Sequence, residues 1–353
     1  MSRNRMVEIT DVSTNVALTN RDFGATLLLV TNKAIDSDSL PYTITSLQEL
    51  IDLGFTDTDL AYRYVIDFFG SNPKPSSLQI YGEVVSTTNT VEYVLSSLEQ
   101  RAKDSFYFVA LDDTKLDNLK SLDNFMKASK YTHYAVVSPD KNTAVADIIT
   151  LQDELTSKRI LVLAYDKDYR ADANLVGTKS SVLPYSTPMA EAVMTIPESS
   201  YSLTEINQMA GDDVERATGI NVVTNEEGIV TTTYGKSVDG ITWADNVIGA
   251  DMIDEALRKG WTQALIERNA TGKFDVRYGS AELNEIGRQI IQGFVTYNWL
   301  DAINGNPFSD GLGDLVVVAY SNRKIEYKTT LTFSGCIIAI SNVLDINEKT
   351  NVS

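Results

Sequence analysis

The chain has 353 residues, 43% of them hydrophobic, and a formal net charge of −18. That length predicts two or three domains of about 100–200 residues with a sizeable core, and the ordinary hydrophobic share argues against a disordered chain. Acids outnumber bases 48 to 30, whereas nucleic acid is bound mainly through clustered Lys and Arg, so no nucleic-acid partner is expected.

Cys336 is the single cysteine. No intrachain disulfide is possible, which fits a reducing compartment or assembly in a cytoplasm. The opening "MSRNRMVEITDVSTN" carries no apolar h-region and predicts no signal peptide. The apolar runs "TLLLVT" and "CIIAISNVL" fall short of the roughly 20 residues of a spanning helix, so no membrane insertion is expected.

Along the chain, residues 1–22 alternate apolar and polar in "VEIT" and "NVALT" without a hairpin turn signal, and read as an extended N-terminal arm. From Thr26 the pattern becomes regular. "TLLLVT" is a buried-type strand. "TSLQELIDLG" and "TDTDLAYRYVIDFFG" are helices that open on Ser/Thr cap signals and close on Gly. The strand "SSLQIYGEV" precedes a helix with apolar Val91, Val94, Leu95 and Leu98 at helical spacing. "SFYFVALD", "THYAVVSP" and "RILVLAYD" are strands, separated by the helices "LDNLKSLDNFMKAS" and "TAVADIITLQDELTS". This alternation predicts an α/β domain with a mainly parallel sheet over residues 23–200.

From Ala171 to about Ser200 the periodicity weakens, and "SSVLPYSTPMAEAVMTIP" is expected to wrap an edge of the fold. "LTEINQMAG" is a short helix. "GINVVTNEEGIVTTTYGKSVDGITWAD" reads as a β-meander with "NEEG" and "VDG" as turns. Two long helices follow, "GADMIDEALRKGWTQALIER" and "SAELNEIGRQIIQGFVTYNWLDAI", then the strands "DLVVVAY", "KIEYKTTLTF" and "CIIAISNVLDI". Residues 201–335 are thus expected as an α+β domain, with 336–353 as a C-terminal strand or arm.

Little in this sequence points to catalysis. His133 is the single histidine, and no G-x-S-x-G elbow accompanies it, so a structural place in a strand is expected. One His and one Cys exclude the usual zinc sites. The "GKS" at Gly235–Ser237 lacks the first glycine of a phosphate loop, because position 230 is Val230. The acidic pairs Asp57/Asp59 and Asp212/Asp213 lack calcium-loop spacing and read as helix N-caps and first-turn acids. No catalytic, cofactor-binding or metal residue is therefore expected, and no cofactor.

The order of elements from Gly219 onward resembles the C-terminal domain of contractile phage tail sheath proteins. The marks are Gly219 and Asn221, Gly235 and Gly240, Trp243 and Asp245, a helix with Asp251, Ile253 and Trp261, a helix from Ala281 to Trp299, the "NPFSDGLGD" loop and "TLTFSGCIIAISNVLDI". In the N-terminal half, "FGATLLLV", "PYTITSLQELIDLGF" and "PKPSSLQIYGE" are similar to segments of short sheaths. The resemblance implies a homo-oligomer of stacked hexameric rings around a tail tube. It also implies baseplate and tail terminator partners, assembly in the host cytoplasm, and contraction that drives the tube through the host envelope. It further implies that terminal arms add strands to neighbouring subunits. The arm contacts would then be Val7, Ile9, Val12 and Val16 at one end, and Leu331, Phe333, Ile338, Ile340, Val343 and Ile346 at the other. The alternatives are another tail or baseplate structural protein, or an α/β enzyme with an unrecognised site.

Overall fold

The computed structural model describes residues 22–35, 40–103, 105–182, 187–271, 276–296, 300, 316–321 and 324–328. The ten arm positions named above lie outside the described residues, as does Cys336.

Strand β1 (Thr26–Val30) is buried along its whole length. The short strand β2 (Tyr42–Ile44) leads into helix α1 (Leu47–Asp52), where the Ser46 hydroxyl accepts the Glu49 amide as an N-cap. Helix α2 (Leu60–Phe69) ends on Gly70, and β3 (Leu78–Gly82) follows. Then α3 (Val91–Ala102), β4 (Phe108–Leu111), α4 (Leu116–Ala128), β5 (Tyr134–Val137), α5 (Val145–Glu154) and β6 (Ile160–Ala164) alternate as the sequence pattern requires. Helices α6 (Ala171–Ser180) and α7 (Leu203–Ala210) precede the hairpin of β7 (Ile220–Glu226) and β8 (Ile229–Thr232). The long helices α8 (Ala244–Thr271) and α9 (Val276–Thr296) come next, followed by β9 (Val316–Ser321) and β10 (Lys324–Lys328), which pair antiparallel.

One eight-stranded sheet has the order β2-β3-β1-β4-β5-β6-β7-β8. Its six inner strands run parallel, while β2 and β8 close the two edges antiparallel. Alternate strand residues face opposite sides. Leu28 and Val30 therefore join the core under α1, α2, α6 and the start of α8, and Leu27 and Leu29 join the core under α3, α4, α5 and α7. Each fully buried aliphatic side chain here contributes about 1.5–3 kcal/mol. A third cluster packs Ile253, Leu257, Trp261 and Ala264 of α8 against Leu283 and Ile291 of α9, and the Trp261 indole donates to the Leu283 carbonyl at 2.8 Å.

Three features depart from the sequence expectation. The sheet continues across the expected 200/201 boundary, because β7 pairs in parallel with β6 through Val162–Ile220 to Ala164–Val222. The weakly patterned stretch after Ala171 is a helix inside the fold. Its Asp172, Asn174 and Lys179 are buried but bonded: Asp172 to Arg170, Asn174 to the Asp67 carbonyl and Thr195, and Lys179 to Thr187 and the Pro188 carbonyl. Finally, Asp212 and Asp213 begin no helix. They close a turn around Arg216, whose amide donates to Asp213 and whose guanidinium pairs with Asp212. The 190–197 stretch does wrap an edge, lying antiparallel along β8 with Met194 donating to the Val230 carbonyl and Thr232 to that of Ala192.

Candidate functional site at the sheet switch point

In open parallel α/β sheets, ligands bind beyond the carboxyl ends of strands where the winding direction reverses. Here the chain runs from β1 to β3 on one side, then crosses to β4 on the other. The crevice to inspect therefore lies past Val30 and Leu111.

Asp112 occupies it, directly after β4. Its Oδ1 accepts the Thr31 amide at 2.9 Å, the Thr31 hydroxyl at 2.8 Å and the Asp113 amide at 2.8 Å. Arg170, just ahead of α6, reaches the same point. Its guanidinium donates to the carbonyls of Asp112 (2.6 Å) and Leu111 (2.7 Å), and to both carboxylate oxygens of Asp172 (3.0 and 2.7 Å). The Asp172 amide donates to Ser138, which follows β5. On α2, Asp67 accepts Arg63 Nε at 2.8 Å and the Arg170 amide at 2.6 Å. The charged heads also stack, Arg170 over the Tyr64 ring at 5.2 Å and Arg63 over Tyr169 at 4.3 Å.

Burial raises the Asp112 carboxyl above its usual value against the hydrogen bonds from Thr31, and it raises Asp67 in the same way. Burial also works against the Arg170 charge, but the Asp172 carboxylate outweighs it and holds the guanidinium more basic than usual. Tyr64 is likewise raised by burial. Two atoms of this cluster, Asp112 Oδ2 and the Tyr64 hydroxyl, are buried and have no hydrogen-bond partner among the described residues.

The chemistry of this arrangement is that of a plug. Four of the five guanidinium donors of Arg170 are spent on the chain itself, and the carboxylates of Asp67, Asp112 and Asp172 stand around it, an arrangement that disfavours an incoming phosphate. The network ties β1, β4 and β5 to α2 and α6 at the place where an enzyme of this architecture would hold its substrate. Gly177 is part of the same fit, since a Cβ there would stand 2.4 Å from the Phe68 carbonyl of α2.

The residues singled out in the sequence also have structural places. His133 is buried between the rings of Phe106 and Phe125, at 4.7 and 5.5 Å, with its Nε2 3.2 Å from Glu99. Burial pushes the Glu99 carboxyl up, but hydrogen bonds from His133, Ser129 and the Lys130 amide outweigh it and hold Glu99 below its usual value. Lys236 of the "GKS" donates to the Ala217 carbonyl at 2.8 Å and lies 5.1 Å from the Trp243 ring, while Ser237 bonds the Tyr134 hydroxyl. Asp59 sits at the N-cap position of α2, and its carboxylate accepts from Thr56 rather than from the helix. Among the described residues no group of three or more His, Cys, Asp or Glu is placed to hold a metal, and no helix is long and apolar enough to cross a membrane.

An open groove of about 520 Å³ runs between α7 and the β7–β8 hairpin, lined by Tyr201, Leu203, Ile206, Thr224 and Tyr234 among others. Its carboxylates, Glu191, Glu198 and Glu226, and its hydroxyls have no histidine or cysteine beside them.

Sequence reasoning did not find the Arg170 network. The available signal was an acid placed directly after an apolar strand, in "FVALDD", and the polar run "YDKDYRADAN" before a helix.

No protein-family model matches this chain, and no curated protein matches it. Solved structures do. The sheath of an extracellular contractile injection system, the PVC sheath complex in its contracted state, superposes with a TM-score of 0.69 at 10% identity, covering 99% of this chain and 98% of that one. The contracted helical sheath of the anti-feeding prophage gives 0.64 at 13% identity, over 99% and 100%. The sheath tail protein Lin1278 of Listeria innocua gives 0.55 at 9% identity, over 89% and 96%. The chain has the fold of contractile sheath subunits.

Proposed function

We propose that this protein is the structural subunit of a contractile sheath. It polymerises as stacked hexameric rings around a tail tube and shortens to drive that tube through a target envelope, as in delivery of a phage genome. The observation that carries this reading is a shared fold over nearly the full length of both chains. The plugged switch point supports it, because that crevice is given to tying the subunit together. Energy is stored at assembly and released by repacking contacts between subunits, a bistable arrangement biased by a trigger. No nucleotide is consumed.

In this reading the partners are further copies of the chain, the tube protein, the baseplate and the tail terminator. The protein resides in a phage tail or an extracellular injection apparatus after assembly in a cytoplasm. In the same reading residues 1–22 and 336–353 are arms that add strands to neighbouring copies.

Negative-stain microscopy of the purified full chain, with and without ATP, tests the proposal. Tubular polymers that form and shorten without nucleotide are expected. A uniform small particle that turns over a substrate would overturn it.

A further inference from the structure

Helices α3, α4 and α5 lie on one face of the sheet, and each connects two parallel strands, so all three run antiparallel to the strands. Their N-termini gather at one end of the layer and their C-termini at the other.

Free charge sorts between these ends. At the C-terminal end stand Arg101, Lys103, Lys130 and Lys158, all exposed, against one exposed acid unpaired among the described residues, Asp153, in the last turn of α5. None of the four cations enters an ion pair with a described residue, and Arg101 only donates to the Tyr81 hydroxyl. At the opposite end stand Glu83 and Glu92, half-buried, with Asp117 and Asp147, exposed; these too enter no ion pair among the described residues.

The helix dipole accounts for part of this sorting. It favours Glu92, Asp117 and Asp147 in first turns and Arg101 in a last turn. The effect falls off within the terminal turn, and Lys103, Lys130 and Lys158 stand past the last helical residues. It leaves unexplained why a chain with 48 acids against 30 bases gathers unpaired cations at one end. Arg159, at that same end, shows the alternative, since Asp251 neutralises it within the chain.

Opposite free charge at opposite ends of one rigid layer suits a second copy placed head to tail. A two-fold axis at either end, joining each end to its own copy, would set like charge against like. We infer that the end bearing Arg101, Lys103, Lys130 and Lys158 docks against the end bearing Glu83, Glu92, Asp117 and Asp147 of a second copy of this chain. Such a contact is heterologous and propagates as a ring or a helix. It identifies a self-association surface of the proposed sheath and rests on that reading.

The test uses full-length protein in three states: wild type, Lys130→Glu/Lys158→Glu, and Asp117→Lys/Asp147→Lys. Thermal melting establishes that each is folded. Sedimentation and microscopy then give the concentration at which polymers appear. Each double variant is expected to need at least about tenfold more protein than wild type, the effect of removing interactions worth one decade in affinity. An equimolar mixture of the two variants is expected to assemble as wild type does, because every contact between unlike copies is again complementary. Reversals without effect, or a mixture that fails to recover while wild type assembles, would overturn the contact and leave the sheath reading standing. Wild type that forms no polymer at any salt would overturn both.

Discussion

Asp251 grips Arg159 through both carboxylate oxygens, at 2.5 and 2.7 Å, at the point where α8 leaves the α/β core. The Tyr107 hydroxyl donates to the same carboxylate at 2.9 Å, and Arg159 also reaches the His133 carbonyl at 3.2 Å. Before Asp251, α8 packs Ala244, Val247 and Ile248 against the sheet; after it, Ile253, Leu257 and Trp261 pack with α9. The pair therefore sits where one helix changes the body it belongs to. Asp251→Ala strands a largely buried guanidinium and is expected to cost about 3–5 kcal/mol in urea unfolding. Replacing both partners, as Arg159→Met/Asp251→Leu, is expected to recover most of that loss. A double variant as unstable as the single one would show that the pair itself, and not the orphaned charge, carries the stability.

The buried carboxyls make opposed predictions for pH. Glu99 is held below its usual value, so its contribution is present above the unfolded value of about 4.3 and is lost as pH falls through the folded one. Glu99→Gln is expected to cost about 1.5–3 kcal/mol at neutral pH, the range for hydrogen bonds to a charged group, and to approach wild type in acid. Asp112 is raised, which reverses the sign. Its contribution is full below the unfolded value of about 3.9 and is lost as pH rises through the folded one. Asp112→Asn is therefore expected to gain on wild type between about pH 3.5 and pH 7. Urea midpoints for each variant minus wild type, taken across that range, decide the matter; two curves of the same slope would remove the assigned causes.

The strand–helix alternation from Thr26 to Ala164 was legible because each strand is a run of apolar residues and each helix carries one apolar stripe. The two long C-terminal helices were legible for the same reason. Helix α6 was not, because its buried positions include Asp172, Asn174 and Lys179, and periodicity counts such residues as solvent-facing. The edge strand β2 was missed at three residues, too short to show a period. The parallel pairing of β7 with β6 was hidden by its own hairpin turn, which reads as the start of a separate meander. The plug at Arg170 joins residues up to 139 positions apart, from Thr31 to Arg170, a relation that spacing along a chain does not encode.

Gly177 tests the fit of α6 against α2. Its substitution by alanine brings a methyl group to 2.4 Å from the Phe68 carbonyl and 2.5 Å from the Ser71 hydroxyl. Backbone cannot yield there without moving α2. Although alanine is the better helix former by about 1 kcal/mol, Gly177→Ala is expected to destabilise by about 1–3 kcal/mol, the usual cost of overpacking. Unfolding at equal or higher urea than wild type would show that the two helices are free to part.

The proposed arms provide the sharpest test of how copies are joined. Residues 1–16 hold few large apolar side chains, so their deletion is expected to leave a folded, soluble subunit that no longer polymerises. The segment from Cys336 to Ser353 holds Ile337, Ile338, Ile340, Val343, Leu344 and Ile346. Its deletion is expected to block polymerisation and also to lower the melting temperature, because each aliphatic side chain that one face of a strand buries contributes about 1.5–3 kcal/mol. A milder probe is Ile9→Pro, because proline in a donated strand would lack the N–H that a ladder hydrogen bond needs. If the arm is donated as a strand, Ile9→Pro weakens assembly while monomer melting stays within a degree or so of wild type, as expected for a change outside the cooperative core. Normal tubes from the N-terminal deletion would show that this arm is not a joint, and strand donation would then have to be sought at the C-terminal end alone.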